Sequence, residues 1–101
     1  MPAYLVGNVT VEDAEGFAEY SKRVPEVVER YGGTFRVRGG RVEVLEGSWA
    51  PKRLVLVEFD SFEQAKLWYE CEEYQALADI RRRCAGTDLV LVEGFSRTEA
   101  T

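Results

Sequence analysis

At 101 residues and a net charge of −5, the chain has the length of one domain. Its charge runs against sequence-independent nucleic-acid binding and against docking on anionic membranes, both of which rest on an excess of Lys and Arg. Hydrophobic residues make up 46% and charged residues 31%, the balance of a water-exposed globular domain whose core is thin enough for oligomerisation to help.

The absence of histidine removes Ser-His-Asp catalysis, His-ligated haem and nearly all standard zinc sites. No metal and no resident cofactor is expected. No apolar run approaches the roughly 20 residues of a membrane helix, and the start Met1-Pro2-Ala3-Tyr4-Leu5-Val6 leads into a strand pattern rather than a signal peptide. A cytoplasmic location is therefore expected. Cys71 and Cys84 are too few for a disulfide scaffold. On one helix they would point to roughly opposite sides, so they read as reduced thiols unless a helix break lies between them.

Residues Ala3 to Thr10 read as a strand with apolar residues in both alternating sets, the pattern of a central strand covered on both faces. Asp13 to Tyr31 reads as a helix whose core stripe is Ala14, Phe17, Ala18, Ser21, Val24, Val28 and Tyr31. Pro25 falls inside it and should kink it or open a second short helix. Gly32-Gly33 ends it. Thr34 to Val37 and Val42 to Leu45 flank Arg38-Gly39-Gly40-Arg41, which reads as a tight hairpin. Arg36, Arg38 and Arg41 there are either a charge-protected edge or an anion contact.

Glu46 to Lys52 reads as a loop carrying Trp49. Arg53 to Phe59 is the next strand, apolar on both faces except at Glu58. Ser61 and Gln64 form a capping box for a helix from Phe62 to about Tyr69. A second helix covers Glu72 to Arg83, with acids in its first turn and arginines in its last, as the helix dipole favours. Gly86 stops it, Asp88 to Phe95 is the last strand, and Ser96 to Thr101 is a polar, frayed tail. The order is βαββαβ: a single α+β domain over 1–101, core 3–95, with one exposed sheet face. Strands apolar on both faces need two covers, and helices supply one; a second copy of the chain is the economical other.

Glu58 is the leading candidate for chemistry. Partly buried among Leu54 and Leu56, its carboxyl would rise in pKa and serve as general base or acid. The alternative is a salt bridge to Arg81 or Arg53. Glu93 is a weaker case of the same kind. Tyr20 lies off the apolar stripe, and Trp68, Tyr69 and Tyr74 crowd the second helical region. Such aromatics with polar tips suit a flat organic ligand, and equally suit core and interface packing. Arg81 is the candidate for holding an anion, against capping its helix or pairing with a carboxylate. Trp49 reads as packing on a partner subunit or as a pocket lid. No phosphate-binding glycine loop is present, and the aromatic strand signature of the RNA-recognition module is missing.

Strings along the chain also carry a resemblance. They are Ala3-Tyr4-Leu5, Tyr20, Tyr31-Gly32-Gly33, Val44-Leu45-Glu46-Gly47 with Trp49, Val57-Glu58-Phe59, Ala65 to Trp68-Tyr69, Glu73-Tyr74-Gln75-Ala76-Leu77 with Arg81, and Leu89 to Gly94. In this order they resemble domain-of-unknown-function family 1330 of the dimeric α+β barrel superfamily, over about residues 3 to 95. Asp60 departs from the family pattern, where a Pro commonly follows the Glu-Phe pair. The resemblance implies a ferredoxin-like fold with an antiparallel sheet, helices on one face, and a homodimer whose two sheets face each other as a barrel. Relatives include cofactor-independent monooxygenases, muconolactone isomerases and haem-dependent enzymes, and fold alone carries none of those activities across.

The expected function is therefore a homodimer, joined through the open sheet face, that binds a small anionic or aromatic organic ligand. If it is an enzyme, it performs cofactor-free proton-transfer or monooxygenase-type chemistry with Glu58 as base and Arg81 or Tyr74 as polar partner. Tyr20, Trp68, Tyr69 and Trp49 would contact the ligand. The alternative is a structural or regulatory dimer with no ligand. Neither nucleic acid nor membrane is an expected partner.

Overall fold

The alternation along the first strand sets the architecture. In β1 (Ala3–Val11) the odd positions Ala3, Leu5, Gly7 and Val9 are buried, while Tyr4, Val6 and Asn8 are only half-buried. A period of two sends successive side chains to opposite faces, so one face of the sheet meets a full cover and the other does not. The computed structural model describes residues 1–95. It continues with α1 (Ala14–Arg30), β2 (Thr34–Arg38), β3 (Leu54–Phe59), α2 (Phe62–Glu70), α3 (Glu72–Cys84) and β4 (Ala85–Glu93).

The four strands form one antiparallel sheet in the order β2-β3-β1-β4. Register places Leu5 beside Val57 and Leu91, and these residues, with Phe59, join Val24, Val28, Trp68, Tyr74 and Leu77 of the helices in one core. Trp68, Tyr74, Phe59, Val28 and Val57 are its fully covered large side chains. The opposite face carries Tyr4, Val6, Leu54, Leu56, Val90 and Val92, with Val90 and Val92 exposed.

The result is an α+β fold with helices packed against one antiparallel sheet. The barrel expected from the superfamily resemblance is corrected by this topology. The sheet is open, with β2 and β4 as separate edges and no pairing between them; four strands are too few to curl round and close, since strand number fixes barrel diameter.

Local expectations fare unevenly. Val42 to Leu45 forms no strand; residues 39–53 are one long connection, and β2 pairs directly with β3 instead. Pairing with β3 sets Phe35 beside Val57 and against the core, whereas Val42, Val44 and Leu45 are exposed. A bulge between Phe35 and Val37 adjusts the register. Helix α1 runs unbroken through Pro25. Proline lacks the N–H that would bond to the carbonyl four residues back; that carbonyl is Ser21's, and the Arg38 guanidinium donates to it instead.

The buried line of α1 is Val24, Val27 and Val28, with Phe17, Tyr20, Ser21 and Tyr31 half-buried; Ala14 and Ala18 are exposed. The core stripe therefore lies nearer Tyr20 than expected. Ser61 caps α2 by accepting from the Gln64 amide at 3.0 Å, but the Gln64 side chain donates to the Tyr31 carbonyl at the end of α1, so the box is half-formed. Gly86 does not stop α3: the helix ends at Cys84, whose carbonyl accepts from the Glu12 and Asp13 amides, and β4 begins at once with Ala85. Cys71 caps α3 while Cys84 ends it, and both are free thiols. The expected polar tail, Ser96 to Thr101, lies outside the described residues. Among the described residues no helix is long and apolar enough to cross a membrane.

Candidate ligand-binding site

A cavity of about 50 Å³ lies between the helices and the sheet. Its walls come from every layer. Helix α1 contributes Phe17, Tyr20, Ser21, Val24 and Val28; α2 contributes Trp68; α3 contributes Tyr74 and Arg81. The sheet contributes Leu5, Gly7 and Val9, Val55 and Val57, Thr87 and Leu89, with Phe35, Arg38 and Arg53 from β2 and the start of β3. Gly7 opens the floor. It sits between Val55 and Leu89 in the register, and a Cβ there would lie 2.9 Å from the Leu89 Cδ1.

Aromatic contacts hold one wall. The Trp68 and Tyr74 rings lie 3.9 Å apart between centroids, and the Tyr20 ring meets Tyr74 edge-on at 6.3 Å. The Tyr20 and Tyr74 hydroxyls are hydrogen-bonded at 2.9 Å. Burial pushes the Tyr20 phenol well above the ordinary tyrosine value, the neighbouring Tyr74 adds to the rise, and Arg81 offsets part of it. Tyr20 is thus a neutral hydrogen-bonding group at physiological pH and not a phenolate base.

Four buried side-chain nitrogen and oxygen atoms among the described residues have no hydrogen-bond partner: Arg53 Nε, Trp68 Nε1, Arg81 Nε and Thr87 Oγ1. All four residues line this cavity. Buried polar groups are nearly always paired, and leaving one unmade costs about 1–3 kcal/mol. Four residues with such atoms line this one space.

The structure brings Tyr20, Trp68, Tyr74 and Arg81 together around one space and places the other candidates elsewhere. Glu58 sits on the opposite face of the sheet, beside Tyr4, with its carboxylate 3.0 Å from the Arg36 Nε. Its salt-bridge partner is neither Arg81 nor Arg53. Tyr69 packs behind Trp68 and Tyr74 and lines an outer groove between α2 and β4. Trp49 is 62% exposed on the long connection. Glu93 is exposed at the end of edge strand β4. Arg81 is buried, at 7% exposure, and among the described residues no carboxylate lies within salt-bridge reach of it.

From the sequence Arg53 was expected only as a possible salt-bridge partner of Glu58, and Thr87 was not singled out. The signal was present: Arg53 shares its alternating set with Val55, Val57 and Phe59, and Thr87 shares its set with Leu89 and Leu91. Once those apolar sets face the helices, the polar residue at the end of each strand faces them too. Among the described residues no group of His, Cys, Asp or Glu is arranged to hold a metal.

Residues 2–95 match the family described as "Domain of unknown function (DUF1330)", and the chain belongs to it. No curated protein matches the chain. Its fold is similar to that of a protein of unknown function, RPA0582 from Rhodopseudomonas palustris, with a TM-score of 0.73 and 18% identity over 94% of this chain and 83% of that one. It is also similar to SnoaB, a cofactor-independent oxygenase from Streptomyces nogalater, with a TM-score of 0.64 and 14% identity over 98% of both chains. A putative antibiotic biosynthesis monooxygenase from Nitrosomonas europaea gives a TM-score of 0.58 and 19% identity over 95% of this chain and all of that one. At these identities the likeness is one of fold.

Proposed function

We propose that the protein binds a small organic molecule in the cavity between its helices and sheet. The observation that carries this reading is that all four described residues with an unpartnered buried polar side-chain atom line that one cavity. Its walls combine apolar and aromatic side chains with a few polar groups, the usual make-up of a small-molecule site. Trp68, Tyr20 and Tyr74 form the aromatic wall and Arg81 the charged one.

Two tryptophans make the test direct. Trp68 lines the cavity and its buried indole N–H has no partner, while Trp49 stands in solvent. In NMR titrations with a library of small organic fragments, binding should shift the Trp68 indole signal and leave that of Trp49 in place. Fragments that move only Trp49 or the open sheet face would refute the cavity as the site.

The same reading includes a cytoplasmic homodimer joined through the apolar open face of the sheet. Catalysis is a second reading, supported by the fold shared with a cofactor-independent oxygenase. No Asp or Glu lines the cavity, so a substrate there would have to bring its own ionisable group. A general-base role for Glu58 would instead need the substrate on the open face. Glu58→Gln separates the two, since it should leave affinity in the cavity unchanged.

A further inference from the structure

Arginine remains protonated in proteins, so a buried guanidinium must find an anion or bear the cost of an uncompensated charge. Arg81 is nine-tenths covered, its Nε has no partner, and no carboxylate among the described residues pairs with it. Arg53, half-buried, adds a second arginine to the same cavity. Its Nε is buried and unpartnered, and its guanidinium lies over the Phe17 ring at 5.7 Å. Arg38 at the same cavity is held by Ser21. In a chain of net charge −5, the cavity is lined by three arginines and no acid. A positive hollow in an acidic surface focuses the field on itself and favours anions there.

The remaining chemistry narrows the anion. The walls are largely aliphatic and aromatic, so the ligand carries an apolar body. No free helix N-terminus reaches the cavity: its first α1 residue is Phe17, past the first turn, and the Tyr74 amide is taken by the Cys71 Sγ at 3.3 Å. A planar carboxylate matches the guanidinium fork, which binds it through parallel hydrogen bonds.

We propose that the cavity takes a small monocarboxylate, its carboxylate held by Arg53 and Arg81 with Thr87 as a third donor and its apolar body against Trp68 and Tyr74. This rests on the reading of the cavity as a small-molecule site and assigns the chemical class of its occupant.

The test is calorimetry and Trp68 indole shifts on the whole protein with acetate, propionate, butyrate and benzoate, each beside its neutral amide, and with inorganic phosphate. At least one carboxylate should bind in the cavity, and its amide should bind roughly ten-fold or more weakly, since truncating one side of a buried charge pair is expensive. Arg53→Gln should weaken the carboxylate by a similar factor and leave the amide unchanged. Arg53 is the first variant because it is only half-buried, and Arg81→Gln follows with its folding checked by circular dichroism. Amides that bind as tightly as the acids would overturn the carboxylate assignment while leaving the small-molecule site standing. Phosphate preferred over every carboxylate would overturn it too. No binding of either class at millimolar concentration would overturn both.

Discussion

The Tyr20–Tyr74 hydroxyl pair joins α1 to α3 across the cavity. A neutral hydrogen bond contributes a net of about 1 kcal/mol, and the partner left behind in a dry site loses more. Tyr20→Phe should therefore lower unfolding free energy in urea by about 1–2 kcal/mol. The double variant with Tyr74→Phe should cost less than the sum of the two singles, because neither hydroxyl is then left alone. The pair also sets an alkaline limit. The folded Tyr20 pKa is raised by burial, while the unfolded phenol titrates near the reference value of about 10. The unfolded state therefore releases its proton first, and this contribution to stability is complete below about pH 10 and declines above it. Absorbance at 295 nm against pH should show one tyrosine that ionises only as the protein unfolds. Glu58 and Arg36, by contrast, form a pair open to solvent, and Glu58→Gln should shift stability by less than about 1 kcal/mol. At this scale Arg81, Tyr20, Tyr74 and Trp68 could be singled out from sequence as polar or aromatic oddities. Arg53 and Thr87 could not, because a polar residue at a strand end looks the same whether it faces helices or water.

At the scale of elements, the joints matter more than the lengths. Gly33 links α1 to β2, and a Cβ there would lie 2.7 Å from Val28 Cγ1 and 2.8 Å from Phe59 Cε1. Overpacking of this kind costs roughly 1–3 kcal/mol. Gly33→Ala should lower the thermal midpoint measurably, whereas alanine at the exposed Gly40, with nothing within 4 Å, should not crowd any neighbour. The helices α1, α2 and α3 and the strands β1 and β3 were legible in the periodicity, because each carries an apolar repeat of its own. The hairpin expected around Gly39-Gly40 was not formed. Its turn residues are suitable, but Val42 to Leu45 has no core to face, and β3 offers β2 the Val57 and Phe59 side. Pro25 inside α1 shows the same override. A kink or a second short helix was expected on local grounds; α1 instead runs as one helix from Ala14 to Arg30, and the Arg38 side chain from a distant strand supplies the donor for the Ser21 carbonyl that proline leaves free.

At the scale of the molecule, one apolar sheet face is left over. Tyr4, Val6, Leu56, Val90 and Val92 share it, and Val90 and Val92 are about half exposed. Light scattering at micromolar concentration should give twice the chain mass, and Val90→Asp should reduce it to the monomer while circular dichroism remains that of the folded chain. A monomeric wild type would refute the assembly through this face. The sequence by itself determined the α+β class, the positions of the three helices and of β1 and β3, and the lack of any histidine, because hydrophobic period and composition are local quantities; the expected barrel and the Val42 to Leu45 strand gave way to an open four-stranded sheet. Only the tertiary structure decided which alternating set of each strand faces the helices. That choice depends on strand pairing and helix placement across the whole chain, and it sent Glu58 to the open face while bringing Arg53, Arg81 and Thr87 to one cavity.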